Sequence, residues 1–105
     1  MEFPPKSFVV DELRSNPVNP VRLKIIATYV IGSFAKGMQS SKSDIDIAVV
    51  IPKLRTTTSL QFTENFHFRF THQKQKPKWN GRIIDIQFYF EDDDELDLIP
   101  KIELD

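Results

Sequence analysis

Two short stretches of this chain are spaced for phosphate chemistry. Val30-Ile31-Gly32-Ser33 ends an apolar run on a turn of small residues, and ten residues later Asp44-Ile45-Asp46 opens a second apolar run that continues to Ile51. In an extended strand, residues i and i+2 project to the same side, so Asp44 and Asp46 are expected to point together while Ile45 points away. Two carboxylates aimed at one point repel unless a cation lies between them. Hard divalent cations such as Mg²⁺ accept such oxygens together with those of substrate phosphates. Each half also has a plainer reading, Gly32-Ser33 as a strand-ending turn and the two acids as the outward residues of a half-exposed strand. Against the second stands the apolar continuation of the Asp side through Ala48 and Val50. That side is polar only where the strand begins, which fits a site at the strand end.

Together, residues 30–51 resemble the signature of the polymerase-beta superfamily of nucleotidyltransferases: a Gly-Ser pair, ten residues, then Asp-x-Asp. The preceding hydrophobic strand and the Ser before the first Asp are also present. The likeness is nearest to the minimal nucleotidyltransferases, small single-domain proteins of which many are antitoxin partners of HEPN-domain proteins. It covers about residues 24–90, and the two motifs at fixed spacing carry far more weight than either alone. It implies an α/β (α+β) fold of the polymerase-beta-like kind, a small mixed β-sheet with helices packed against it. A single nucleotidyltransferase domain over residues 1–105 is expected.

The implied reaction moves a nucleoside monophosphate from a triphosphate to a hydroxyl and releases pyrophosphate. Its barrier falls chiefly through positioning and charge stabilisation, and paired metal ions can hold the attacking and leaving oxygens. The resemblance assigns Asp44 and Asp46 to two Mg²⁺ ions, with ATP as donor, and calls for a third carboxylate on a later strand. Asp85 is the natural candidate, since it stands mid-strand between Ile84 and Ile86, where an unpaired charge is costly to bury. It would bind the catalytic ion and help deprotonate the acceptor. A structural Asp is the rival reading. Gly32 allows close approach of backbone to phosphate, and Ser33, Lys36 and Ser43 are the expected phosphate ligands.

The elements that must position these residues follow from pattern. Phe8, Val9 and Leu13 share a face if Lys6–Arg14 is a helix. Arg22–Ile31, rich in β-branched residues and ended by Gly32, reads as a strand buried on both sides. Gly32–Ser43 reads as a loop with one helical turn around Phe34–Gly37, and Asp44–Ile51 as a strand stopped by Pro52. Over Thr56–Gln75 the pattern is ambiguous, because Phe66, Phe68 and Phe70 alternate as in a strand, whereas Leu60, Phe66 and Phe70 suit a helical stripe. A helix over Ser59–Phe70 is favoured because it links two neighbouring strands of one sheet. Lys74–Gly81 reads as a polar turn region, Arg82–Phe90 as the strand of the third carboxylate, and Leu96, Leu98 and Ile99 as the start of a short final element. His67 and His72 read as surface or helix-face residues, Lys74–Lys78 as a solvated turn, and Trp79 as a packing residue.

Bulk properties narrow the function. The 105 residues are 40% hydrophobic with nine Phe, enough for one modest core. A net charge of −1 gives no global basic character, so RNA is not the favoured partner. Without Cys there are neither disulfides nor thiolate metal sites. No apolar run nears the ~20 residues that span a bilayer, and Met1–Lys6 lacks a signal-peptide core, so a cytoplasmic protein without membrane association is expected. So short a chain leaves little room for an acceptor-binding domain. The acceptor is then expected on a partner protein, a HEPN-type toxin by resemblance, or on another protomer. The alternatives are a catalytically weak module that neutralises a partner by contact, and a transferase acting on a small molecule or an RNA end.

Overall fold

The computed structural model describes residues 3–16, 20–40, 42–73 and 76–105. Its elements run α1 (Lys6–Arg14), β1 (Ala27–Ile31), α2 (Gly32–Ala35), β2 (Ile45–Ile51), α3 (Ser59–Gln73), β3 (Lys78–Trp79), β4 (Arg82–Phe90), α4 (Asp94–Leu98) and β5 (Ile102–Glu103). One sheet has the order β3-β4-β2-β1-β5, with β2 and β4 parallel and the other neighbours antiparallel. This is the expected small mixed α+β sheet with helices against it.

The pleat divides the sheet residues between two cores. Val30, Ile45, Ile47, Val49, Ile51, Ile84, Ile86, Phe88 and Phe90 face one side, where Val9 and Leu13 of α1, Phe34 of α2 and Phe66 of α3 cover them. Phe88 carries edge-on contacts from Phe62 and Phe66, with ring centroids 4.8 and 5.1 Å away. Such pairs add about 0.5–1.5 kcal/mol each beyond the area they bury. The opposite face is smaller: Ala27, Ile31, Ala48 and Val50, partly covered by Leu96 of α4, with Tyr29, Tyr89 and Ile99 at its border. That thinner cover leaves the start of the β2 face accessible.

Helix wins over strand for α3 because it is the crossover between parallel neighbours β2 and β4, a connection that cannot be a tight turn. It also closes the outer edge of β4. The Phe88 N–H donates to Thr63 Oγ1 at 2.9 Å, and the Thr63 hydroxyl lies 2.9 Å from Ser59 O and 3.4 Å from Phe88 O. His67 Nε2 bonds the Ile86 carbonyl. Side chains of the helix thus occupy groups that an unpaired edge strand leaves open.

Several boundaries differ from expectation. The first strand begins at Ala27, not Arg22, because β2 ends at Ile51 before Pro52 and offers no ladder further out; the last bond is Ile26 N–H to Val50 O, 2.8 Å. The preceding backbone is instead held by α1: Arg14 donates to the carbonyls of Val21 and Leu23 at 2.6 and 2.7 Å, and Val21 N–H donates to Leu13 O. The helical turn after β1 starts at Gly32 itself, and α3 runs three residues past Phe70. Lys78–Trp79 pairs with Ile83 and Arg82 through a two-residue Asn80-Gly81 turn, both residues at positive φ (50° and 81°). This is the hairpin chemistry of an Asn-Gly pair. The chain closes on a short strand, β5, beside Tyr29 and Val30. Pro17–Asn19, Ser41 and Lys74-Gln75 lie outside the described residues, as does the side chain of His72. Among the described residues no helix is long and apolar enough to cross a membrane.

Candidate active site

β1 ends at Ile31 and turns at once into α2, and this places Gly32 over β2. Gly32 has φ +68°, and a Cβ there would overlap Asp46 Oδ2 and come within 3.2 Å of Asp46 Cγ. The glycine is required twice, for its left-handed backbone and for the space its missing side chain leaves to a carboxylate. Ile31 is the register partner of Asp46 on one side, and Asp85 is its partner on the other. Adjacent register partners share a face, so Asp46 and Asp85 stand side by side on the thinly covered face.

Asp44 is different. It precedes the ladder of β2, which begins at Ile45, and is exposed. Asp44 thus stands at the entrance of the strand, one residue ahead of the ladder. Its charge still reaches Asp46. Burial raises the Asp46 pKa above the ordinary 3.8, the charges of Asp85 and then Asp44 raise it further, and Lys76 partly opposes them. Among the described residues no three His, Cys, Asp or Glu side chains group closely enough to hold a metal ion by themselves.

Two residues that read as plain surface groups in the sequence stand at Asp85. Lys76 Nζ lies 3.0 Å from Asp85 Oδ1, and His67 Nε2 lies 3.7 Å from the same oxygen. The expected solvated turn thus delivers one of its lysines into the site. The Asn80-Gly81 hairpin does this by folding the segment before it back along β4, where Pro77 O accepts the Ile84 N–H. The Asn80-Gly81 pair is the sequence signal for the hairpin.

Two hollows share the walls Gln87 and Tyr89. One, of about 230 Å³, is bordered by Gly32, Lys36 and Asp46 and by Ile99 and Pro100 beyond α4. The other, of about 470 Å³, lies between β4, α3 and α4, with Asp85, His67, Lys76, Thr63, Leu60 and Glu95 on its walls. Lys36 is exposed and borders the first hollow; Ser33 and Ser43 adjoin without lining it. Ser43 Oγ accepts the Ser40 N–H at 2.8 Å inside the intervening loop. Arg82, overlooked in the sequence, holds that loop: it donates to the carbonyls of Ser40 and Ser43 at 2.9 and 3.0 Å, and its guanidinium stacks 5.1 Å from the Phe34 ring. Trp79 packs edge-on against Phe8, as expected of a packing residue.

The donor set fits a hard divalent cation. Mg²⁺ is commonly bound through one or two carboxylates, with water and substrate phosphates completing its shell. Asp46 and Asp85 supply two such groups, and the pKa of Asp46, raised first by burial and then by the charges of Asp85 and Asp44, belongs to a carboxylate that a cation would stabilise.

No curated protein and no solved structure matches the chain significantly. The sequence profile of the family described as Polymerase beta, Nucleotidyltransferase matches residues 16–87, from the end of α1 through most of β4, and so includes Gly32, Asp46 and Asp85. On that match, and on the mixed sheet that carries the three residues, the chain belongs to the polymerase beta nucleotidyltransferase family.

Proposed function

We propose that this chain is a Mg²⁺-dependent nucleotidyltransferase that transfers AMP from ATP to a hydroxyl of a partner protein, in the manner of an antitoxin acting on a HEPN-type toxin. The observation that carries the reading is the register of Asp46 with Asp85, with Gly32 packed on Asp46. Asp46 and Asp85 would hold the ion, joined by Asp44 once phosphate is bound. The ion would neutralise charge developing on the transferred phosphoryl group. Gly32 and the backbone of α2 would line the triphosphate, with Lys36 at its entrance. Asp85, facing the larger hollow, would orient the acceptor hydroxyl and take its proton. In support, the larger hollow brings Asp85 together with side chains of α3 and α4, which suits an acceptor presented by a second chain.

The test is transfer of label from ATP, in Mg²⁺, to the product of the neighbouring gene, followed by intact-mass spectrometry with each of the four nucleotides. An added AMP mass on the partner, lost with Asp46→Asn, supports the reading; absence of any adduct with both proteins folded counts against it.

A second reading is favoured by one observation, the lack of a closed three-acid group among the described residues. In it the chain neutralises a partner by contact alone. Neutralisation that survives Asp44→Asn/Asp46→Asn would support this reading, and its loss with binding intact would exclude it.

A further inference from the structure

We infer that Lys76 is a resident counter-ion that competes with the divalent cation for Asp85, so that the nucleotide-free protein takes up metal weakly at that carboxylate. The inference rests on the metal-dependent reading above. Asp46 and Asp85 are held as neighbours by the β2–β4 register, which fixes both backbones. Two neighbouring carboxylates in a half-buried cleft need positive charge nearby. The cleft supplies its own. Lys76 Nζ sits 3.0 Å from Asp85 Oδ1, with both side chains about one-third exposed (32% and 28%). His67 approaches the same oxygen at 3.7 Å from α3. A metal ion bound to that oxygen would stand beside the ammonium and be repelled by it, so the two compete for the carboxylate.

The structure also shows how the lysine can yield. Lys76 lies in the irregular stretch between α3 and β3, outside either element's hydrogen bonding, and its tether is a flexible four-carbon stem. Asp85 is fixed mid-strand between Ile84 and Ile86, both buried. The carboxylate stays and the ammonium moves. A triphosphate entering with its own metal ion offers the displaced lysine new acceptors, so displacement is coupled to nucleotide arrival.

The experiment is a titration of purified protein with Mn²⁺ in the absence of nucleotide, followed by electron paramagnetic resonance or calorimetry. It compares wild type, Lys76→Met, Lys76→Gln and, as a control for net charge, Lys78→Met at an exposed position two residues away. The expected result is a Kd for Mn²⁺ about two- to fivefold lower in both Lys76 variants and unchanged in Lys78→Met, the size of effect a partly exposed ion pair supports. In an Asp85→Asn background, removing Lys76 should bring no gain. Unchanged or weaker Mn²⁺ binding in the Lys76 variants overturns the inference. So does a gain that persists with Asp85→Asn, which would make the lysine a general charge and not a competitor at this carboxylate. These results leave the transferase reading standing. If neither wild type nor the Lys76 variants bind Mn²⁺ even with ATP added, the metal-dependent reading falls and the inference with it.

Discussion

Asp46 on β2 is the direct register partner of Asp85 on β4, in parallel strands joined by the α3 crossover and the β3 hairpin. Two acids about forty residues apart are thereby made neighbours by the backbone ladder and not by side-chain choice. Replacing Asp85 by Asn should leave the fold intact and lower AMP transfer by at least about 100-fold, since it removes both a metal ligand and the proposed proton acceptor. The check is label transfer at saturating ATP, beside a thermal melt that shows the variant cooperatively folded.

The charge pressed onto Asp46 makes a prediction of opposite sign for stability. Its pKa is raised in the folded state by burial and by Asp85 and Asp44. A carboxyl with a raised folded pKa favours folding while protonated, and that contribution is lost as pH rises through the folded value. At pH 7 without metal the ionised group is therefore a burden. Asp46→Asn should raise the melting temperature there by a few degrees, with the gain vanishing below the ordinary carboxyl value of 3.8. Added Mg²⁺ or Mn²⁺ should raise the melting temperature of wild type and not of the variant.

Gly32 and Gly37 share nearly the same backbone angle, φ +68° and +69°, yet differ in surroundings. At Gly37 nothing lies within 4 Å of an added Cβ, whereas at Gly32 the methyl collides with Asp46. Gly37→Ala should cost about 1 kcal/mol, the strain of a left-handed alanine. Gly32→Ala should cost about 2–3 kcal/mol and abolish activity by displacing the carboxylate. Chemical denaturation of the two variants separates strain from collision.

Thr63 offers a test of the closed sheet edge. Its hydroxyl receives the Phe88 N–H, and Thr63→Val keeps the shape while leaving that partly buried donor unmet. A loss of about 1–3 kcal/mol is expected, with faster amide exchange at Phe88 as its local signature.

Arg82 should behave as a positioning residue. Arg82→Ala releases the carbonyls of Ser40 and Ser43 and should raise the KM for ATP with little change in kcat. Arg82→Lys, which cannot fork onto two carbonyls and stack on Phe34 together, should recover only part of the loss.

Much of this molecule was legible in its sequence. The Gly-Ser turn and the Asp-x-Asp start of a strand are local chemistry, and β4 and α1 were bounded correctly because their apolar periods are unbroken. The face chosen by Asp85 was legible through pleat parity, given that β2 and β4 are neighbours. Other features depended on partners distant along the chain. Arg22–Ile25 has strand character but no strand beside it, so Arg14 of α1 takes the Leu23 carbonyl. Asp44 has the spacing and stands exposed one residue before the ladder of β2, a boundary that the sequence reading set at Asp44 itself. Lys76 and His67 show nothing in sequence that marks them, since their role comes from a hairpin and a crossover helix that bring both to one carboxylate. β5 is only two residues long, too short to announce itself by pattern.

The side chains of α3 that occupy the outer rim of β4 also decide how this sheet can grow. With Thr63 and His67 bonded to that rim, a foreign strand finds no template there. Lengthening of the sheet by another polypeptide, whether in recognition or in fibre formation, is left to its two outermost strands, Lys78–Trp79 and Ile102–Glu103, whose brevity gives a newcomer little to grip.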